Sequence, residues 1–561
     1  MVSSQTPAEE PASTCLVCRF RAGVRWLAAV LVWWAPVTAL QWLSGAYGAE
    51  FGGYPDEAAH YVTALMVRDY LAAGAPAPPT RYAEDYYLHY PKVALGIWGP
   101  VPYLLGGLWM WLFSASRVSI LLLIALITAV LAATLYRVLR EDFALEIAAG
   151  ATLLFVSMPV VQASTGTVML DTLVALFSFW AALCFGRFLD QETLRHALLF
   201  GVCAALCILT KGNGLALALL PPVALLLSRR FHLLKRWSFW SPLAVMLVTA
   251  GPWLYYSARL RTDIHARWVS LEISADCLKA LTLDSGVVAL VLVMLGFLAR
   301  VVRPWRTRMV EGRWAAGGAL VLAVWGFYSM VPSNGFDPRY AIAGLLPFTM
   351  FFAAGTAWLA QRLALPRLSI RVKTALVGLI GLAAFAGQVF YIPKKGHQGF
   401  TEAARSLLAS AQHRDSVWLV SSEQDGEGLF ISEVAMQEKR PGHFILRAGK
   451  VLGQSDWLGD RYRVLHPTPE AVMAYLESVP VRAVVLDRRP GFRRREHHHL
   501  LEAAIQRFPQ RWRLLGRYLG QRAAGGPTPV VETYELLGVA SRPRGKIRID
   551  MPYTLGRSLE R

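Results

Sequence analysis

Short polar islands in an otherwise apolar chain carry the residue types that bind phosphate and move protons. Gly52-Gly53-Tyr54-Pro55-Asp56-Glu57-Ala58-Ala59-His60-Tyr61 sets two adjacent carboxylates directly after an apolar run, where charge is costly unless it is used. With Tyr54-Pro55 ahead of it, Asp56 reads as a helix start, and His60 falls one turn on, along the same face. A carboxylate and an imidazole then stand together at the membrane surface. The plainer reading is that Asp56 and Glu57 cap the helix and complement its dipole.

The same loop ends in Tyr86-Tyr87-Leu88-His89-Tyr90-Pro91-Lys92. A lysine at headgroup depth binds a phosphate as a point charge. The aromatic rings around it suit stacking on a sugar or lining a polyprenyl chain. Lys and Tyr also serve as plain interface anchors. Asp171, in Gly166-Thr167-Val168-Met169-Leu170-Asp171-Thr172, is the only carboxylate between Glu146 and Asp190. A lone acid beside apolar helix is a functional candidate by default, and an N-cap role is compatible with that. Lys211-Gly212-Asn213 interrupts two apolar runs as a tight turn, and Asn334-Gly335-Phe336-Asp337-Pro338-Arg339-Tyr340 precedes a later run. The Arg339 fork suits a phosphate oxygen pair; Lys211 and Arg339 also read as ordinary loop charges.

These islands need a scaffold that holds them at one surface. The chain has 561 residues, 55% hydrophobic and 17% charged. So much apolar side chain exceeds what a soluble core takes up. Runs long enough to cross a bilayer recur at 24–44, 118–136, 144–162, 170–189, 196–210, 213–228, 239–257, 286–302, 314–331, 340–360 and 373–391, eleven in all. Nineteen tryptophans and twenty tyrosines suit two membrane interfaces. The stretch 95–113, with Trp98, Pro100, Pro102, Trp109 and Trp111, reads as a helix in the outer interface rather than a span.

Lys and Arg orient the bundle. Twenty fall in the proposed inside segments and ten in the longer outside segments between spans. That bias puts the N-terminus in the cytoplasm and every island named above outside. It also accounts for much of the formal charge of +19, so nucleic acid is not expected as a partner. The chain divides into a cytoplasmic tail (1–23), a membrane domain (24–391, with its first outside loop at 45–117) and an outer domain (392–561). In the last, strands at 416–421, 481–486 and 530–537 alternate with helices at 470–478 and 500–508, which argues a small α/β domain. It has no G-x-G-x-x-G after its first strand, so no dinucleotide site is expected. Arg493–Arg495 and His497–His499 read as a solvated face. Cys15 and Cys18 form a C-x-x-C with no second pair to complete a zinc site.

Taken together, Asp56-Glu57, the Tyr-x-x-His-Tyr-Pro-Lys loop, Asp171, Leu209-Thr210-Lys211-Gly212, Gly251-Pro252-Trp253 and Pro338-Arg339-Tyr340 through Pro347 resemble glycosyltransferase family 39 and its relatives. Those are GT-C glycosyltransferases, among them the protein O-mannosyltransferases and the bacterial aminoarabinose transferases that modify lipid A. The resemblance covers about residues 24–391. It departs from the aminoarabinose branch at His60, where Arg is expected.

The resemblance implies a polytopic GT-C enzyme in the cell inner membrane, with the C-terminal α/β domain periplasmic. It implies inverting transfer of a sugar from a polyprenyl-phosphate donor to a protein, lipid A or another glycan. Such a step needs a base near the acceptor and positive charge on the leaving phosphate. Asp56 is the expected base, with Glu57 orienting it and Asp171 completing the acidic set. Lys92 and Arg339, with Lys211 in support, are expected on the phosphate. His60, Tyr61, Tyr87, His89 and Tyr340 are expected on substrate. A divalent cation, Mg or Mn, shared by Asp56 and Asp171 is left open. The competing reading is a transporter or flippase of a lipid-linked sugar. Against it, the ionisable residues collect at the outer ends of spans rather than at mid-span, where transporters keep them.

Overall fold

The computed structural model describes residues 16–260, 271–282, 286–307, 309–330, 336–389, 391–410, 416–455, 461–489, 494–520, 530–539, 547–551 and 555–560. Cys15, Asn334, Gly335 and Arg493, and with them parts of three expected motifs, lie outside the described residues.

The first helix, α1 (Leu16–Leu43), leads into three shorter ones: α2 (Glu57–Ala72), α3 (Pro79–His89) and α4 (Val101–Leu112). The bundle continues as α5 (Arg117–Arg140), α6 (Leu145–Ser157), α7 (Pro159–Thr165), α8 (Asp171–Gln191), α9 (Leu194–Ile208), α10 (Leu220–Ser228), α11 (Trp237–Thr249), α12 (Gly251–Leu260) and α13 (Leu271–Thr282). It closes with α14 (Val287–Phe297), α15 (Arg303–Thr307), α16 (Gly312–Met330), α17 (Ile342–Arg362) and α18 (Ile370–Val389).

Each of the expected apolar runs falls on helix, yet the helices differ in reach. Among the described residues five are long and apolar enough to cross a membrane: Gly23–Leu43, Arg117–Arg140, Asp171–Gln191, Val287–Thr307 and Pro338–Arg362. The run at 144–162 is two helices bent by 64°. Pro159 sits at the first position of α7 and excludes the helical conformation at Met158, whose ψ is 130°. The run at 239–257 likewise divides at Ala250 into α11 and α12. Helix α4 has 12 residues, about 18 Å at the α-helical rise, well short of a bilayer core of about 30 Å. It packs on α2, where a Cβ on Gly107 would come within 2.7 Å of Val67. Helices α14 and α17 cross at glycines: a Cβ on Gly355 would stand 1.8 Å from the Leu292 carbonyl, so only glycine admits this approach.

After α18 the chain enters the second domain through α19 (Phe400–Ala409). There follow β1 (Val417–Ser421), α20 (Gln424–Gln437), β2 (Phe444–Arg447), α21 (Ala448–Val451), β3 (Gly453–Gln454), β4 (Arg463–Val464), α22 (Pro469–Ser478), β5 (Val481–Asp487), α23 (Glu496–Arg507), β6 (Trp512–Leu519), β7 (Val530–Leu536), β8 (Arg548–Met551) and β9 (Arg557–Glu560). The main sheet has the order β2-β1-β5-β7-β6. Strand β1 runs parallel to β2 and β5, and β7 antiparallel to β5 and β6. Strands β1 and β5 are buried along nearly their whole length, as the apolar runs VWLVS and VRAVVLD require.

The histidine run is not a solvated face. His497 and His498 are buried, with ring nitrogens on Tyr462 Oη and Ser421 Oγ, each at 2.9 Å; the side chain of His499 is outside. Successive helical positions point apart, and here two of the three directions lead into the sheet and its neighbours.

The second domain is fastened to the segment between α1 and α5 by largely buried polar contacts. Arg117 pairs with Glu433, Arg440 Nε lies 2.7 Å from Asp69 Oδ2, and Tyr90 Oη donates to Glu438 Oε1 at 2.6 Å. The His89 ring nitrogen Nδ1 lies 2.9 Å from the Gly442 carbonyl, and its ring stacks on Phe444 at 4.0 Å.

Candidate active site

Asp56 ends the turn before α2 with φ −86° and ψ −17°, and its side chain makes no capping hydrogen bond. The half-buried carboxylate makes no hydrogen bond or ion pair among the described residues. The capping reading therefore does not describe it. Glu57 is the structural acid. It is fully buried; Oε2 accepts from Gly53 N at 2.7 Å, Oε1 from Val168 N at 3.0 Å, and Lys395 Nζ lies 3.1 Å from Oε1. The two neighbours thus have opposite environments, one carboxylate consumed and one left over.

One turn along α2, His60 is 2% exposed. Its Nδ1 lies 2.9 Å from Tyr103 Oη on α4, its ring 4.4 Å from Trp98, and its Nε2 is buried without a hydrogen-bond partner. Burial holds the imidazole well below its ordinary range, and the charges of Lys211, Arg339 and Lys92 push the same way. The ring is neutral, and three cations from distant segments converge around it.

Lys92 is 9% exposed. Burial, with Arg447 adding to it, brings its ammonium down to about 7, against the pull of Asp56, Glu427 and Asp425. Its tail packs on the outer domain: a Cβ on Gly428 would lie 2.8 Å from Lys92 Cε and 3.1 Å from Ala58 Cβ. Behind it Arg447 Nε holds Glu427 Oε2 at 2.8 Å.

Asp171 is the first residue of α8; the cap position is Leu170, so the carboxylate is free to turn sideways. Lys211 Nζ donates to Oδ1 at 2.8 Å, while Oδ2 is buried without a hydrogen bond, 3.8 Å from Arg339 Nε. Arg339 is 6% exposed, lies over the Tyr54 ring at 3.9 Å, and has Nε 3.2 Å from Asp337 Oδ2. Its Nη1 is buried with no hydrogen-bond partner. Lys211 Nζ sits 4.6 Å over Tyr340, which stacks on Tyr328 at 5.3 Å. Nη1 of Arg339, Nε2 of His60 and Oδ2 of Asp171 are thus three buried polar atoms without a hydrogen-bond partner among the described residues. An apolar cavity opens beside His60 between α4, α5 and α8, lined among others by Tyr103, Ile124, Leu170 and Leu173.

The structure thus gathers Asp56, His60, Lys92, Asp171, Lys211, Arg339 and Tyr340 at one end of the bundle. Three others serve the frame. Tyr61 donates to the Ala115 carbonyl at 2.6 Å and stacks on Phe51, Tyr87 is buried toward Arg447 and Glu427, and His89 is held against Gly442 and Phe444. Sequence reading missed Lys395, Tyr103, Tyr54, Arg447 and Glu427. Lys395 carried a signal: Lys394-Lys395 follow the last apolar run on the side where the charge bias expects few basic residues.

A shared metal at Asp56 and Asp171 does not suit this arrangement, because Asp171 Oδ1 is committed to Lys211 and Oδ2 faces Arg339. Among the described residues the group whose donors converge within 4.8 Å is Glu50, His397 and Glu402. There Glu50 already accepts from Gln398 N at 2.5 Å and Thr401 N at 2.9 Å.

Comparison with known proteins bears on the fold. Residues 98–256 match the family described as dolichyl-phosphate-mannose-protein mannosyltransferase. That stretch includes Asp171 and Lys211 and leaves Asp56, Lys92 and Arg339 outside. No curated protein matches the chain significantly. Among solved structures the chain is similar to ArnT from Cupriavidus metallidurans bound to undecaprenyl phosphate, at 15% identity and a TM-score of 0.55, covering 91% of this chain and 97% of that one. The apo state of the same ArnT gives 14% identity, a TM-score of 0.54 and coverage of 92% and 98%. The fold is that of the GT-C glycosyltransferases: a helical membrane bundle with a sheet-containing C-terminal domain.

Proposed function

We propose that this GT-C chain transfers a sugar from a polyprenyl phosphate to an acceptor, at the outer face of the cell inner membrane. The observation that carries the reading is the pairing of opposites in one pocket. A carboxylate with no partner, Asp56, stands near a neutral imidazole ringed by Lys92, Lys211 and Arg339. An ArnT of the same fold is bound to undecaprenyl phosphate, which supports a lipid phosphate as the donor.

In the transfer, the acceptor hydroxyl attacks the anomeric carbon from the face opposite the phosphate, and its proton passes to Asp56. The bond from the anomeric carbon to the phosphate oxygen breaks, and polyprenyl phosphate leaves with the electron pair. Lys92, Arg339 and Lys211 hold the charge that grows on that oxygen, in a pocket where such charge is stabilised more than in water. Asp171 keeps Lys211 and Arg339 in place. Glu57 fixes the turn that presents Asp56, and neutral His60 and Tyr340 border the donor. The leaving charge meets basic side chains of the chain itself, Lys92, Lys211 and Arg339.

The acceptor is a protein, lipid A or another glycan that reaches the outer surface beneath the second domain. Eleven crossings with a cytoplasmic N-terminus and a periplasmic C-terminal domain satisfy both the charge bias and the placement of the site. The reading is tested by following donor consumption in purified wild type and Asp56→Asn.

A further inference from the structure

We propose that a cleft at the opposite end of the bundle is a binding site for an anionic glycerophospholipid. It lies between the inner ends of α1, α5, α8 and α9 and has a volume of about 350 Å³. Its walls are largely apolar: Trp26, Val138, Trp180 and Leu183, with the thiols of Cys184 and Cys203 among them. Arg137 and Arg187 stand in the same lining. Arg187 is sixteen residues beyond Asp171 on one helix, about 24 Å along its axis, so the cleft is at the other membrane face from the candidate active site.

The two arginines differ from the basic residues around them. At this end of the bundle Arg230 pairs with Asp190 at 2.9 Å and Arg236 with Glu192 at 2.8 Å, while Arg313 pairs with Glu141 at 2.7 Å and Asp142 at 2.8 Å. Arg229 and Arg300 lie over aromatic rings. Arg137 and Arg187 are exposed and have no hydrogen bond, ion pair or ring contact among the described residues. Glu141 also lines the cleft, but Arg313 already holds its carboxylate.

Two unclaimed guanidinium groups above an apolar slot match a phosphodiester above acyl chains. Basic pockets between membrane helices on the cytoplasmic side bind such headgroups. Trp26 stands near the start of the apolar run of α1, where indoles favour the interface. Trp180 lies seven residues before Arg187 on α8, about 10 Å further into the bundle, at acyl-chain depth, with its N–H satisfied by Thr134 Oγ1 at 3.2 Å. A zwitterionic headgroup brings a quaternary cation toward two arginines and is disfavoured.

The test uses the full chain in detergent, stripped of lipid and titrated in turn with cardiolipin, phosphatidylglycerol and phosphatidylcholine. Native mass spectrometry counts bound lipid, and peptide-level alkylation follows Cys184 and Cys203. Cardiolipin and phosphatidylglycerol are expected to bind and to slow alkylation of both thiols, with phosphatidylcholine at least tenfold weaker. Arg137→Ala with Arg187→Ala is expected to weaken anionic lipid tenfold or more, and the paired Lys substitutions to retain most of it. Should the double alanine variant fail to stay monodisperse, Arg187→Gln alone gives the same comparison. Equal binding of phosphatidylcholine, or anionic binding unchanged in the arginine variants, overturns the proposal. No donor or acceptor enters these measurements, so their outcome is independent of the transfer reading.

Discussion

Lys395, six residues beyond the last helix of the bundle, places its Nζ 3.1 Å from Oε1 of Glu57, the first residue of α2. The two are 338 positions apart and join the turn that carries Asp56 to the entrance of the second domain. Glu57 is fully buried and also takes the Gly53 and Val168 N–H groups, so the ion pair is part of a satisfied network. Removing one partner of such a pair leaves an uncompensated charge. Lys395→Ala is expected to cost about 3–5 kcal/mol of stability. A drop in thermal midpoint in detergent checks this, and Glu57→Gln with Lys395→Ala together is expected to recover part of it.

Lys92 gives the site a pH dependence. Burial brings its ammonium down to about 7 from an ordinary value of 10.5. An unfolded chain keeps that proton to higher pH, so this residue makes stability rise from about pH 7 to the ordinary value, the sign expected when the unfolded state binds more protons. For the donor the sign is reversed: its phosphate favours the charged lysine, and binding takes up a proton above pH 7. The donor KM is expected to rise by up to about tenfold per unit above that pH. Steady-state kinetics from pH 6 to 9 check it, and Lys92→Met is expected to bind weakly without the slope.

Gly428 is where the second domain touches that lysine. A methyl group there would meet Lys92 Cε at 2.8 Å and Ala58 Cβ at 3.1 Å. Gly428→Ala is therefore expected to displace the ammonium and raise the donor KM several-fold, with a smaller effect on kcat. Equal losses in both would place the residue elsewhere in the mechanism.

Arg339 presents a buried Nη1 with no hydrogen bond and a guanidinium lying on the Tyr54 ring. Lysine keeps the charge but neither the fork nor the stacking plane. Arg339→Lys is expected to lower kcat/KM by about ten- to a hundredfold, in line with a charged hydrogen bond of roughly 1.5–3 kcal/mol. The same assays with EDTA are expected to match those without it, because Asp171 is held by Lys211 and faces Arg339.

The parts of the molecule that composition controls were legible in the chain. Apolar runs long enough to cross a membrane fell on helices, and the short, proline-containing stretch 95–113 became the 12-residue α4. Strands β1, β5 and β7 followed from their apolar runs. Helix α20 did not, because it opens on Gln424-Asp425-Gly426-Glu427-Gly428, residues that favour turns. Strand β6 was hidden by its composition: WRLLGRYL mixes charged and apolar residues and stands at the edge of the sheet. The candidate residues on the islands stood out because charge is rare beside apolar helix. Their division of labour was not. Asp56 and Glu57 are adjacent and chemically alike, and only the arrival of Lys395 and the Val168 N–H, from far along the chain, decides which is consumed. Arg447 and Glu427 were missed for the same reason: they reach Lys92 across the contact between domains, which no local pattern records.

The most direct test of the central claim is sugar transfer by the purified full chain in nanodiscs, using a panel of polyprenyl-phosphate sugars. Wild type and Asp56→Asn are run side by side and checked for equal thermal midpoints. The expected result is consumption of one donor by wild type, reduced by about two to four orders of magnitude in the variant, the range for a general base. Full activity in Asp56→Asn contradicts its role as base. Consumption of no donor by wild type, together with movement of a lipid-linked sugar across proteoliposomes, contradicts the transferase and makes the chain a transporter.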